Sequence, residues 1–423
     1  MDRRRIAVVG AGVSGLTAAY VLQQACEVSL YEAADRLGGH AHTHDIADAD
    51  GRVARVDTGF IVHNDRTYPT LLRLFRELGV TTQDAEMSMS VRCDGCGLQY
   101  AGARGPSGLF AHPRSAVRAR YLRMLTEVPL FHRAARTALA DQGADGADVM
   151  TLGQFLLRRG FSGYFVAHYI TPLVSAVWSC APRTAMQYPA AYLFRFLDHH
   201  GMLSVGGSPR WRTVTGGSAE YVTRIGKQLT TLHTGTPVRA VQRSTDRARV
   251  VTAGGEVREY DAVVLAVHPD QALRMLADPT EEEVRVLGAF RYSRNATVLH
   301  TDTSLLPRAR GARASWNYVM SSCDTPAEAV RVSYHMNRLQ RLDTATEYVV
   351  TLNAEDLVRP DRVLARMVYE HPVYTPESVA AQQHLPQLST GVTAYAGAYH
   401  GWGFHEDGCR SGVQAAAALG VRW

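Results

Sequence analysis

The chain opens on an uninterrupted apolar run at 6–9, and after a glycine-rich turn residues 16–24 space their apolar positions as a helix does. A short run without polar alternation predicts a strand buried on both faces, as in a parallel sheet. Residues 27–31 repeat the strand signal. From 86 to 209 the pattern turns mostly helical, and no charged residue occurs between Arg159 and Arg183. That gap is long enough for a membrane span, yet Gly160, Gly163, His168, Pro172, Ser175 and Ser179 make it too polar and too broken. It predicts a buried helix whose Tyr164, Phe165, Tyr169, Ile170, Leu173, Val174, Val177 and Trp178 wall an apolar channel. Alternating stretches at 296–300, 315–320, 330–335 and 348–352 predict strands of a second sheet.

Between the first strand and helix stands Gly10-Ala11-Gly12-Val13-Ser14-Gly15, a Gly-x-Gly-x-x-Gly turn. Gly10 permits the tight turn, Gly12 lets the backbone approach a pyrophosphate, and Gly15 brings helix and strand together. Val13 and Ser14 lie within this turn, ahead of a helix whose positive end suits phosphate. Glu32, followed by Ala33, ends the second strand where an acid takes ribose hydroxyls. Strand, turn, helix, strand and acid in that order predict a dinucleotide-binding Rossmann-like unit.

Arg36-Leu37-Gly38-Gly39, directly after Glu32, resembles the second glycine motif of the flavin-containing amine oxidase and phytoene desaturase superfamily. Residues 256–267 resemble its strand returning to the nucleotide domain after a small β-meander. Residues 396–416, which include Gly397-Ala398-Tyr399-His400-Gly401-Trp402-Gly403-Phe404 and Gly408, resemble its C-terminal flavin-binding turn and helix. The resemblance spans the chain. It implies FAD rather than NAD, and an α/β fold in which a Rossmann-like FAD-binding domain of the amine oxidase type is interleaved with an α+β substrate domain. The FAD-binding segments would be 1–85, 210–270 and 386–423, and the substrate segments 86–209 and 271–385. Cofactor contacts carried over from the resemblance are Arg36, Gly38, Gly39, His40, Asp57, Thr58, Gly59, Val238, Gly397, Ala398, Gly403, Phe404 and Gly408. Val238 would bond the adenine through its backbone, and a helix beginning near Gly408 would aim its N-terminus at the flavin ring.

Residues 57–69 resemble one branch in particular, FAD-dependent amine-oxidase-like proteins that accompany cyclopropane-fatty-acid-synthase-like methyltransferases. This makes His63, Asp65, Arg66 and Tyr68 site candidates and a methyltransferase a candidate partner. Read alone, Asn64-Asp65-Arg66 also fits a helix cap before 68–78.

Two departures from the amine oxidase pattern shape the expected chemistry. Many amine oxidases carry an acid where this chain has Ala398, and many place a lysine near the flavin, whereas the only lysine here is Lys227. The expected reaction is hydride removal from a lipid-like carbon chain, giving desaturation or double-bond isomerisation, with His405 and Glu406 as nearest acid and base and His63, Tyr68 and Trp402 shaping the pocket. A flavin amine oxidase and a non-catalytic flavoprotein partner of a lipid-modifying methyltransferase are the alternatives.

Composition adds three expectations. The net charge of +5 comes from arginine, without a basic stripe interleaved with aromatics, so no nucleic-acid partner is expected. Within 101–140, Arg104, Arg114, Arg118, Arg120, Arg123, Arg133 and Arg136 stand against Glu127 and alternate with Leu109, Phe110, Tyr121, Leu122 and Leu130. That is a helix suited to an anionic membrane surface, or a solvated arginine face over an ordinary core. Six cysteines are too sparse for a disulfide framework, which suggests a cytoplasmic protein, peripheral to the membrane at most. Cys93-Asp94-Gly95-Cys96 lacks a second Cys-x-x-Cys, so it reads as a hairpin with a two-residue Asp-Gly turn between 87–92 and 97–101, and no metal is expected. In His40-Ala41-His42-Thr43-His44 the first histidine would lie against the cofactor, the other two being structural.

Overall fold

The computed structural model describes residues 3–47, 51–141, 150–204, 206–323 and 329–423. A five-stranded parallel sheet holds β1 (Arg5–Val9) at its centre, between β2 (Glu27–Tyr31) and the strand Ala262–Leu265, with Thr231–His233 and Thr393–Tyr395 at the edges. Ile6, Ala7, Val8 and Val9 are buried, as a strand covered on both faces must be. Helix α1 (Val13–Leu22) is buried at every residue but Tyr20, because a second helix lies across it.

Helix α2 (Pro69–Leu78) and helix α3 (His405–Ala418) complete that layer. The helix α3 therefore begins three residues before Gly408, and Gly408 is a packing glycine. A side chain there would sit 2.6 Å from Val13 Cγ1, and one at Gly412 would sit 2.4 Å from the Ser14 carbonyl. On the opposite side of the sheet pack an antiparallel meander, Val238–Arg243, Ala248–Thr252 and Val257–Tyr260, and the core around Val241, Leu265 and Tyr395.

The second sheet has seven strands. Its first edge consists of β3 (Met89–Cys93), β4 (Leu98–Ala101) and β5 (Trp316–Met320) in the order β4, β3, β5, and it continues through Val332–His335, Val349–Leu352 and Arg291–His300 to Val363–Val373. Only β3 and β5 pair in parallel among these described strands. Cys93 pairs with Leu98, so the β3–β4 turn holds four residues rather than two, and Gly97 takes its φ of +70°.

Helices cover this sheet and pack on one another through phenylalanines, Phe155 meeting Phe194 edge to face at 4.7 Å. The uncharged stretch forms one continuous helix in three parts, Gly163–Phe165, a π-helical turn Val166–Ile170, and Thr171–Trp178. In the arginine-rich stretch, helix Ala119–Asp141 buries Tyr121, Met124, Phe131 and Ala135 and leaves Leu122 and Leu130 exposed beside Arg120, Arg123 and Arg133. Among the described residues no helix is long and apolar enough to cross a membrane.

Candidate active site

At the dinucleotide end, a side chain at Gly10 would stand 2.5 Å from the Ala266 carbonyl, and one at Gly15 only 1.9 Å from the Gly10 carbonyl. Beside Gly12, in contrast, there is open space. Helix α1 begins with no capping side chain and no acid in its first turn, so the amides of Val13 and Ser14 remain for an anion. Glu32 accepts from the Ala11 amide at 2.6 Å and the Ala34 amide at 2.9 Å, bracketing Ala33 and fixing the carboxylate beside the glycine turn. Gly38 and Gly39 take φ of +106° and +56°, and Gly39 lies against Gly12. Arg36 donates to the Gly39 carbonyl at 2.8 Å, which holds its guanidinium at the same turn. Val238 starts a strand directly after the 235–237 loop, whose Gly235 and Thr236 amides donate to the carbonyls of Ala34 and Glu32. An open backbone groove with unpaired helix amides, an acid at one end and an arginine beside it fits the ADP half of FAD.

The inner end of the site is a chamber of histidines and aromatic rings. His40, His371, His400 and His405 lie far from the outer surface yet keep partly accessible area, so they face an interior space. His40 contacts Tyr369 and His371 with ring centroids 5.0 and 5.3 Å apart. Asn295 Nδ2 donates to His371 Nδ1 at 3.0 Å, which leaves the imidazole proton on Nε2. His405 stacks on Phe60, and its Nε2 shares a hydrogen bond of 3.1 Å with the Tyr221 hydroxyl. Burial pushes His63, His371 and His400 down to about 4 and His405 to about 3, so all four are neutral at pH 7. His63 is fully buried with neither ring nitrogen hydrogen-bonded, and with no accessible surface it stands behind the chamber wall rather than opening on it. Tyr68 is buried edge-on to His63 at 6.3 Å between centroids.

Several residues expected at the site serve elsewhere. The Asp57 carboxylate is taken up by Thr43 Oγ1 at 2.6 Å, Ser218 Oγ at 2.8 Å, the Ser218 amide at 2.9 Å and Gln340 Nε2 at 2.9 Å. Full burial nonetheless raises it to about 6. It is an internal clamp, with no lone pair spare for a cofactor. Thr58 is similarly engaged with Tyr369 at 2.7 Å, and Gly59 is required because a side chain would meet the His40 carbonyl at 2.2 Å. Glu406 accepts from the Thr70 and Leu71 amides at 3.0 and 2.9 Å, capping α2 across the fold, which removes it from the acid–base candidates. Asp65 and Arg66 point outward and do not join the chamber.

In the C-terminal turn Gly397 makes room for the Tyr399 ring, 2.2 Å from where its side chain would begin. The Ala398 carbonyl accepts from the Gly401 and Gly403 amides, and Gly403 takes φ of +92° against Pro372 and Tyr374. Phe404 caps α3 and stacks on Phe196 at 4.9 Å. His371, Tyr369, Asn295 and Phe60 were not anticipated from sequence. His371 and Tyr369 alternate on the strand Val363–Val373, an alternation that marks a face but not its use.

A Rossmann groove, a seven-stranded second sheet and a C-terminal helix packed on α1 together fit a flavoprotein. The model of the family described as flavin containing amine oxidoreductase matches residues 13–420, and the chain belongs to that family and is FAD-dependent. Tryptophan 2-monooxygenase of Agrobacterium vitis is 46% identical over 58 residues, which are 13% of this chain and 8% of that protein. Cyclohexylamine oxidase from Brevibacterium oxydans IH-35A superposes with a TM-score of 0.71 at 15% identity, covering 99% of this chain and 98% of its own. The CLA-producing fatty acid isomerase from P. acnes superposes with a TM-score of 0.68 at 18% identity, covering 97% of each chain. At those identities the solved structures share the fold.

Proposed function

We propose that the enzyme acts on an apolar, lipid-like carbon chain, removing a hydride to desaturate it or returning the hydride to another carbon to shift a double bond. The observation that carries this reading is the state of the buried carboxylates. A free buried carboxylate would give an alkylammonium an ion-pair partner in an interior site. Among the described residues Asp57, Glu127, Glu283, Asp302, Glu406 and Asp407 are the buried acids, and each already has protein partners. Glu127 accepts from Ser162, Glu283 from Arg243, Asp302 from the Ser304 amide, and Asp407 from Arg410. Lys227 ends a helix in solvent, away from the chamber.

The chamber wall is apolar in the direction of the uncharged helix. Leu173, Val177, Tyr192, Trp402 and Phe404 keep partial accessibility within the aromatic core. Bound FAD would accept the hydride at its N5 position. The chain's own residues exclude water and hold the carbon chain against the ring. His405, neutral and oriented by Tyr221, is assigned any accompanying proton movement, with His63 and Tyr68 beside it. That a similar fold serves a fatty acid isomerase supports the reading. The names of the amine oxidases among similar structures favour amine oxidation as the second reading.

The exposed Val117, Leu122 and Leu130 stand among arginines and give the enzyme a surface suited to an anionic bilayer. Co-sedimentation with anionic but not neutral vesicles is the expected behaviour.

The decisive experiment is an anaerobic visible spectrum of the purified holoenzyme with acyl chains and, separately, amines. Bleaching of the flavin band by an acyl chain, or product formed without net bleaching, supports the proposal. Bleaching by amines alone overturns it.

A further inference from the structure

Four side chains from three distant parts of the chain meet at the sheet edge: Cys93 and Cys96 in the β3–β4 turn, Cys323 just beyond β5, and His168 in the π-helical turn. Their ligand atoms all lie within 4.8 Å of one another. Cys93 Sγ is 3.6 Å from Cys323 Sγ, and His168 Nε2 is 3.5 Å from Cys323 Sγ and 3.7 Å from Cys96 Sγ. A tetrahedral zinc with Zn–S of about 2.3 Å and Zn–N of about 2.0–2.1 Å requires S–S edges of about 3.8 Å and S–N edges of about 3.5 Å. These three edges match that tetrahedron within about 0.2 Å, and the other three stay within 4.8 Å. A disulfide would need about 2.05 Å between sulfurs, and none of these cysteines forms one.

The surroundings are arranged for a metal as well. His168 Nδ1 lies 3.1 Å from the Tyr164 carbonyl, so it carries the proton and the Nε2 lone pair faces the sulfurs, the tautomer a ligating histidine takes. The Tyr164 ring stacks on His168 at 3.9 Å, and the Tyr100 hydroxyl donates to the His168 carbonyl at 2.7 Å. Gly95 allows the turn to touch the chain before Cys323, since a side chain there would sit 2.8 Å from Ser322 Cα. Three thiolates and a neutral imidazole around a dication leave one negative charge. Arg118, which donates to the Cys96 carbonyl at 2.8 Å, stands beside it.

From this geometry we infer that Cys93, Cys96, Cys323 and His168 bind one zinc ion in a closed, structural Cys₃His site. The site is at the opposite edge of the sheet from the strand carrying Tyr369 and His371, and its four protein ligands leave no open position for substrate. Its role is to pin the β3–β4 turn and the end of β5 to the helix that walls the chamber. A widened helical turn at Val166–Ile170 is the distortion that delivers His168 to the sulfurs.

The test is metal analysis of the full-length holoenzyme purified without chelator or metal-affinity steps, followed by X-ray absorption at the zinc edge. One zinc per chain with three sulfur neighbours and one nitrogen is expected. His168→Ala and Cys96→Ser should fall below about a tenth of an equivalent, while His168→Cys should keep zinc with four sulfur neighbours. If the first two variants fail to fold, zinc retention with four sulfurs in His168→Cys still decides the matter. Three results would overturn the inference: wild-type protein that holds no zinc and takes up none, iron with acid-labile sulfide in its place, or a Cys93–Cys323 disulfide in peptide maps of protein from reducing cells.

Discussion

His405 lies face to face on Phe60, with ring centroids 3.6 Å apart and planes 9° apart. The stack and the Tyr221 hydroxyl together fix the imidazole of the residue assigned to proton movement. His405→Ala should therefore slow anaerobic flavin reduction by about a hundredfold, the scale of a positioned acid or base. Tyr221→Phe should produce a smaller loss of the same kind. Stopped-flow reduction with saturating substrate measures both, and a full rate in His405→Ala would remove the residue from the mechanism.

Glu406 behaves differently if it is the cap of α2. Glu406→Ala should destabilise the fold by about 1–3 kcal/mol through two unsatisfied amides, yet leave the rate of flavin reduction in folded protein unchanged. Denaturant unfolding and stopped-flow traces on the same preparation separate the two roles. A rate collapse at unchanged stability would return Glu406 to the chemistry.

Glu32 closes the adenosine end of the groove. Loss of a charged hydrogen-bonding partner is worth about 1.5–3 kcal/mol, so Glu32→Ala should weaken FAD binding by about tenfold or more. Calorimetric titration of FAD into flavin-stripped protein reads this directly. Retention of FAD at wild-type affinity would place the ribose elsewhere.

The histidine chamber also sets a pH dependence. His63, His371 and His400 at about 4 and His405 at about 3 are depressed from about 6.5 in the unfolded chain. Below pH 6.5 the unfolded chain binds their protons first, so stability present at pH 7 is lost as pH falls towards 4. Asp57 and Asp407, raised to about 6 by burial, act oppositely: their contribution is present at low pH and lost as pH rises through 6. His42, His132, His200 and His300, also lowered to about 4 by burial, act with these four, and eight groups against two give a thermal midpoint that drops between pH 7 and pH 4.5. His371→Gln, which keeps an acceptor for Asn295 and cannot titrate, should flatten that slope, and an unchanged slope would count against a neutral buried His371.

The nucleotide groove was legible in the sequence because its parts are near neighbours: Gly10, Gly12, Gly15 and Glu32 lie within one strand, turn, helix and strand. The misread residues have partners far away. Asp57 looked like a cofactor contact because Gln340, 283 residues on, leaves no local trace. Glu406 caps amides 335 and 336 residues before it. The partners of the Cys93-x-x-Cys96 pair are equally remote. Its hairpin is there, but Cys323 and His168 reach it only through the pairing of β3 with β5 and a π-helical turn, and neither is written in local periodicity.

Helix α1 owes its burial to a helix that is synthesised long after it. Thr17 meets Cys409 at 3.5 Å across a separation of 392 residues. Until α3 emerges from the ribosome, the face of α1 around Thr17 has no cover, and the edge strand Thr393–Tyr395 is absent from its sheet. A nascent chain stalled before that point holds a complete Gly-x-Gly-x-x-Gly turn on an unfinished layer. The nucleotide layer is thus closed by its last secondary-structure elements, after the whole second sheet has been made.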